Sequence, residues 1–138
     1  MKEYHIKSIE EYNEVSAYLK SLDHSKIICF RGELGAGKTC LVKNFCEHLQ
    51  CTEVASSPTF SIVNEYINPE GTIYHFDLYR MNSIEEVIDI GIEEYLFSDS
   101  YCLIEWPEII IGKLLNDYID VSIQVQEDNS RKVLISRI

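Results

Sequence analysis

No stretch of this sequence stays apolar for the roughly 20 residues that a membrane span needs, and Met1-Lys2-Glu3-Tyr4-His5 lacks the basic-then-apolar order of a signal peptide. The expected compartment is the cytoplasm, with no membrane partner. Basic side chains are scarce: 12 Lys and Arg stand against 23 Asp and Glu, a formal net charge of -11. Such a surface repels polyanions, which disfavours direct, tight binding to nucleic acid and suits a basic protein partner. Paired cysteines are missing as well. Cys29, Cys40, Cys46, Cys51 and Cys102 are odd in number and contain no CxxC, so they fit neither a disulfide framework nor a zinc site and read as reduced packing residues. Internal repeats and low-complexity tracts are absent. What remains, 46% hydrophobic and 25% charged over 138 residues, is the balance of one globular domain, 1–138, with its own core.

Lys2 to Ile6 reads as a short strand. Ser8 followed by Glu11 has capping-box spacing and predicts a helix to about Leu22 whose stripe is Ile9, Tyr12, Val15, Ser16 and Leu19. Lys26 to Arg31 is nearly continuous apolar sequence of strand length, as a central strand covered on both faces requires. Leu41, Val42, Phe45, Cys46 and Leu49 recur at helical spacing, predicting a helix from Lys38 to about Gln50. Thr59 to Tyr66 and Thr72 to Tyr79 are rich in β-branched and aromatic residues and flank the turn Asn68-Pro69-Glu70-Gly71, so they predict an antiparallel hairpin. Period two then places His75 and Asp77 on one face. Ser83 with Glu86 caps a short acidic helix that breaks near Gly91, and Ile92 to Phe97 continues as a second. Tyr101 to Ile104 is a buried strand that delivers Glu105 and Trp106 at its carboxyl end, where Pro107 stops it. Tyr118 to Gln126 and Lys132 to Ile138 form a final hairpin.

Between the central strand and its helix lies Gly32-Glu33-Leu34-Gly35-Ala36-Gly37-Lys38-Thr39, the full phosphate-loop pattern. Its glycines let backbone amides converge on phosphate oxygens, and the helix adds its positive dipole end. Lys38 is placed to bridge the β- and γ-phosphates of a nucleotide, and the Thr39 hydroxyl to ligate magnesium. Magnesium needs further oxygens, and hydrolysis needs a group that orients water. Glu105 is one candidate, delivered by its strand beside the loop. Asp77 is the other, its alternative being an ion pair with His75 or Arg80. His75 reads as structural rather than catalytic. Trp106 is either an aromatic plug of the core, the first reading from the residues alone, or a cap on the nucleotide pocket.

The phosphate loop, Ser57-Pro58-Thr59-Phe60, Asn64-Glu65-Tyr66, His75-Phe76-Asp77-Leu78-Tyr79-Arg80, Gly91-Ile92-Glu93-Glu94-Tyr95 and Leu103-Ile104-Glu105-Trp106-Pro107-Glu108 together resemble, in order, the TsaE family of bacterial tRNA threonylcarbamoyladenosine biosynthesis ATPases. The likeness is close from Ile27 to about Glu108 and one of pattern outside it. It implies ATP as substrate, Mg2+ as cofactor, and a role beside TsaB and TsaD, which modify the adenosine next to the anticodon in certain tRNAs. ATP hydrolysis would reset that complex, and tRNA would be met only through it. The resemblance further implies that Glu33, Leu34, Gly35, Ala36, Gly37, Lys38, Thr39 and Cys40 bind nucleotide, that Thr39 and Glu105 hold the metal, and that Asp77 lies at the catalytic centre with Lys38. Thr59 would belong to a nucleotide-sensing switch. Trp106 lies near the nucleotide, as do Glu10 and Arg131, for which the local match is poor. Departures are small: Ser61 and Ile62 follow Phe60 where threonine and leucine are usual, and Cys40 follows Thr39 where a second threonine is common.

The expected fold is therefore a single α/β domain, a P-loop NTPase-like three-layer sandwich whose mostly parallel sheet carries antiparallel hairpin additions. Two other functions share the loop: a small-molecule kinase, against which stands the lack of an arginine-rich lid after the final helix, and a non-catalytic nucleotide-dependent binding module. The acidic stretch Glu85, Glu86, Asp89, Glu93 and Glu94 reads as a solvated helix face or, more sharply, as a partner surface.

Overall fold

The computed structural model describes residues 1–23, 25–58 and 62–138, so Thr59 lies outside the described residues. The strands are β1 (Lys2–Ile6), β2 (Ile27–Arg31), β3 (Val63–Asn68), β4 (Gly71–Asp77), β5 (Cys102–Glu105), β6 (Ile119–Val125) and β7 (Arg131–Arg137). The helices are α1 (Tyr12–Ser21), α2 (Lys38–His48), α3 (Ile84–Asp89) and α4 (Ile92–Leu96). All seven strands join one sheet in the order β1-β7-β6-β2-β5-β4-β3. At its centre β6, β2, β5 and β4 run parallel, while β3 on one edge and the β7–β1 pair on the other add antiparallel neighbours. This is the mostly parallel α/β sandwich expected of the sequence.

Both faces of the central strands are covered, which is why β2 and β5 need almost no polar residues. On one face α1 and α2 bring Val15, Leu19, Leu41, Val42 and Phe45 against Ile28, Phe30, Leu103 and Val121. On the other, α3 and α4 bring Val87 and Ile92 against Cys29, Phe76, Cys102 and Ile104. Ser16, which shares the apolar stripe of α1, is fully buried and donates to Asn44 Oδ1 at 2.6 Å; Asn44 Nδ2 in turn donates to Asn13 Oδ1 at 3.0 Å. A polar bolt between α1 and α2 therefore sits inside an otherwise apolar seam. Among the described residues, no helix is long and apolar enough to cross a membrane.

The amino-terminal helix departs from expectation. Its first turn, Ile9–Glu11, is 3-10, Ser8 makes no side-chain cap, and Glu11 Oε2 accepts instead from the Lys7 amide at 3.1 Å. A 3-10 turn holds three residues rather than 3.6, so Ile9 is rotated off the stripe and is 64% exposed. The five cysteines are free thiols, but only Cys29, Cys46 and Cys102 are buried packing residues; Cys51 is half-buried and Cys40 is exposed.

Phe45 is fully buried and meets Tyr101 edge-on, ring centroids 5.5 Å apart. Phe45→Ala should lower unfolding free energy by about 3–5 kcal/mol in a urea titration; a loss below about 1 kcal/mol would mean that this face can close over the vacancy.

Candidate active site

β2 leads at its carboxyl end into the glycine loop, and Arg31 pins that end by a two-pronged bond to Asp120 on β6, 2.8 and 2.7 Å. A side chain on Gly32 would place its Cβ 2.7 Å from the Ile123 carbonyl oxygen. Gly37 has φ 108° and its absent Cβ would meet the Tyr12 hydroxyl at 2.8 Å. Only glycine satisfies either position. Lys38 then opens α2, 5% exposed, with its ammonium turned back on the loop. It donates to the carbonyls of Gly32 and, at 3.4 Å, of Glu33, and lies 3.6 Å from the centre of the Trp106 ring. Burial pulls the ammonium below the usual lysine range, opposed by the nearby carboxylates Glu105, Glu108 and Asp77.

The acids arrive from the neighbouring parallel strands. Asp77 and Glu105 are register partners at the carboxyl ends of β4 and β5, and Glu105 is likewise level with Phe30 on β2. Alternation turns His75, Asp77 and Glu105 to the face on which α2 packs. Glu105, 2% exposed, accepts from Thr39 Oγ1 at 3.0 Å (Oε1) and 3.2 Å (Oε2), and its Oε2 lies 2.6 Å from His75 Nε2. His75 therefore pairs with Glu105 rather than Asp77. Asp77 accepts instead from Ser57 Oγ at 3.3 Å and from the Tyr79 amide at 3.0 Å.

Leu34 to Cys40, Ser57, Asp77, Glu105 and Trp106 line one cavity of about 280 Å³, behind which His75 stands fully buried. Trp106 thus serves both expectations, a wall of the cavity that also packs, half-buried, against the core under α3 and α4. Its backbone is left-handed, φ 56° and ψ 57°, a strained conformation for so large a residue, and its ring is held between the Lys38 ammonium and Tyr79, whose ring centre is 4.8 Å away. This turn ends β5 and brings the indole ring against the Lys38 ammonium.

A second cavity of about 280 Å³ adjoins the first at Gly35, Gly37 and Cys40. It is lined by Ile6, Lys7, Ser8, Ile9, Tyr12, Asn129 and Arg131. Arg131 Nε also donates to the Ala36 carbonyl at 2.8 Å, bracing the loop from outside. Glu10 is exposed on the 3-10 turn and lines neither cavity, while Glu33 contributes its carbonyl to the loop rather than its side chain to a wall. Sequence reasoning missed Tyr12, Lys7 and Asn129. They carry no motif, and Tyr12 could have been found only by asking why a stripe residue ends in a hydroxyl.

Thr39 and Glu105 converge as hard oxygen donors, the kind that suits Mg2+. Among the described residues no group of three or more His, Cys, Asp or Glu is placed to hold a metal ion, so a metal here needs phosphate and water oxygens to complete its shell.

A glycine loop between a central parallel strand and a helix, with acids at the adjacent strand ends, defines a P-loop nucleoside triphosphatase. The sequence model of the threonylcarbamoyl adenosine biosynthesis protein TsaE matches residues 6–133. Similar proteins include the Rickettsia bellii tRNA threonylcarbamoyladenosine biosynthesis protein TsaE, 39% identical over 124 residues that cover 88% of this chain and 85% of the relative. The Bacillus subtilis protein of the same description is 35% identical over 112 residues, 81% of this chain and 70% of the relative. Among solved structures, Bacillus subtilis YdiB superposes with a TM-score of 0.76 at 26% identity, covering 99% of this chain and 85% of that one. The chain belongs to the TsaE family of P-loop ATPases.

Cys40 stands exposed where the two cavities meet, whereas burial raises the thiols of Cys29, Cys46 and Cys102, the last to about 12. At neutral pH a small alkylating reagent should modify Cys40 before those three, and ATP should slow that reaction. Equal rates with and without ATP, followed by mass spectrometry, would contradict the placement of the cavities.

Proposed function

We propose that residues 1–138 are a single P-loop ATPase domain that hydrolyses ATP in support of tRNA N6-threonylcarbamoyladenosine modification, working beside TsaB and TsaD. The observation that carries the chemical reading is the convergence of loop, Lys38, Thr39, Asp77 and Glu105 on one cavity. Phosphate oxygens replace the Gly32 and Glu33 carbonyls as the partners of Lys38 and meet the amides of Gly35 to Cys40 at the positive end of α2. Thr39 and Glu105 hold Mg2+, which when bound neutralises charge on the β- and γ-phosphates. Asp77, steadied by Ser57 and the Tyr79 amide, orients a water toward the γ-phosphorus and takes its proton. A bond forms from the water oxygen to that phosphorus, the bond to the β–γ bridging oxygen breaks, and ADP and phosphate leave. Trp106 closes over the phosphates, and the nucleoside extends into the second cavity between Tyr12 and Arg131. Thr59, two residues after Ser57 in the chain, is the switch residue, and Glu10, which lines neither cavity, approaches the nucleotide only from the exposed 3-10 turn.

Hydrolysis resets the modifying complex. A net charge of -11 keeps the chain off tRNA except through basic partners, for which exposed Glu85, Glu86, Asp89, Glu93 and Glu94 beside the 83% exposed Phe97 offer a surface.

Lys38→Ala should abolish nucleotide binding, while Glu105→Ala should lower magnesium-dependent kcat on the order of a hundredfold and weaken binding far less. Phosphate release and titration of a fluorescent ADP analogue measure the two effects; unchanged hydrolysis in both variants would remove the site. A variant that binds ATP without hydrolysing it should support a single round of tRNA modification with TsaB and TsaD, and repeated rounds would remove the resetting role.

A further inference from the structure

The Glu105 carboxylate is held from behind as well as from the loop. His75, fully buried on β4, places Nε2 2.6 Å from Glu105 Oε2. A carboxylate only accepts, so this contact puts the imidazole hydrogen on Nε2. The other ring nitrogen, Nδ1, lies 3.0 Å from the hydroxyl of Tyr66, which is 3% exposed on β3. That hydroxyl is in turn held by Ser56, in the loop before β3: its oxygen accepts from the Ser56 amide at 3.1 Å and lies 2.9 Å from the Ser56 carbonyl, and because Nδ1 carries no hydrogen, the one hydroxyl hydrogen is within reach of Nδ1 and of that carbonyl and serves one of them at a time. Asn64 Nδ2 closes the arrangement, donating to the Ser56 carbonyl at 3.0 Å and to the Tyr66 oxygen at 3.3 Å. The next residue, Ser57, donates to Asp77. Residues 56–57 are thus bonded to both acids, to Asp77 directly and to Glu105 through two buried side chains.

We infer that Tyr66 and His75 are positioning residues for Glu105: anchored on the Ser56 backbone, they fix the rotamer and the free lone pairs that Glu105 turns, beside Thr39, toward a divalent cation. This rests on Thr39 and Glu105 being the magnesium ligands. A carboxylate free to rotate would spread its oxygens over several directions and bind a cation more weakly, whereas the 2.6 Å contact from a fully buried ring favours one. A buried histidine is commonly no more than a satisfied core residue. Here its two nitrogens face the acid of the phosphate cavity and the hydroxyl held by the loop, which is the arrangement by which outer groups orient a metal ligand.

The test separates metal coupling from stability. The affinity of a fluorescent ADP analogue is measured with Mg2+ and with EDTA, alongside the thermal midpoint, for the unchanged chain, His75→Asn, His75→Gln and Tyr66→Phe. The glutamine amide nitrogen reaches the place of Nε2, and that of asparagine does not. His75→Asn should lose about tenfold or more of the magnesium-dependent gain in affinity while its binding in EDTA is unchanged. Tyr66→Phe, which removes one oxygen atom from a folded core, should lose about fivefold of that gain. His75→Gln should restore most of it even where its thermal midpoint stays low. If the unchanged chain gains affinity from Mg2+ and both His75→Asn and Tyr66→Phe keep that gain in full, the positioning role is overturned and the ligand assignment stands. If the unchanged chain gains nothing from Mg2+, the ligand assignment falls and the positioning role with it.

Discussion

One buried carboxylate organises this protein. Glu105 is carried to the end of a fully apolar strand, 2% exposed, and a charge there is tolerated only with partners on every side. Thr39 from α2 and His75 from β4 supply them. Both partners impose constraints of their own. Thr39 reaches Glu105 only if the loop brings α2 down onto the strand ends, and His75 does so only if β4 pairs in parallel register with β5. The parallel centre of the sheet, the glycine loop and the hairpin that supplies Tyr66 therefore meet at a single side chain.

Lys38 is the counterpart of that carboxylate. Its ammonium is satisfied by loop carbonyls and an indole face, weaker partners than a polyphosphate, and burial works against its charge. On the proposed site a nucleotide would offer the oxygens this group lacks, so that binding would rearrange the Lys38–Trp106 contact. The strained backbone at Trp106 belongs to the same economy: a left-handed tryptophan persists because its ring is clamped between Lys38 and Tyr79.

Most of the central architecture was legible from local signals. Continuous apolar sequence marked β2 and β5, period two put His75 and Asp77 on one face, and the phosphate-loop pattern located the lysine and threonine. The first turn was misread because Ser8 and Glu11 have capping-box spacing whether the turn is α or 3-10, and only the three-dimensional phase tells where Ile9 points. Trp106 was only half legible: an apolar residue after an apolar strand reads as core, which it partly is, and nothing in its identity announces the positive φ that also turns it onto the cavity. The second cavity had no local signature at all. It exists because β1 and β7 pair across the whole length of the chain, making Ile6 and Arg131 register partners. The histidine–tyrosine contact was hidden for a related reason: its members lie on two strands of a hairpin, and their shared purpose appears only when β5 is placed beside them.

If Lys38, Thr39 and Glu105 form one magnesium-nucleotide site, a crystal structure with Mg2+ and a non-hydrolysable ATP analogue should show the metal between Thr39 Oγ1 and Glu105, Lys38 Nζ on phosphate oxygens and released from the Gly32 carbonyl, and His75 Nε2 still on Glu105. Phosphates bound away from the loop, or a metal that leaves Glu105 uncoordinated, would contradict it.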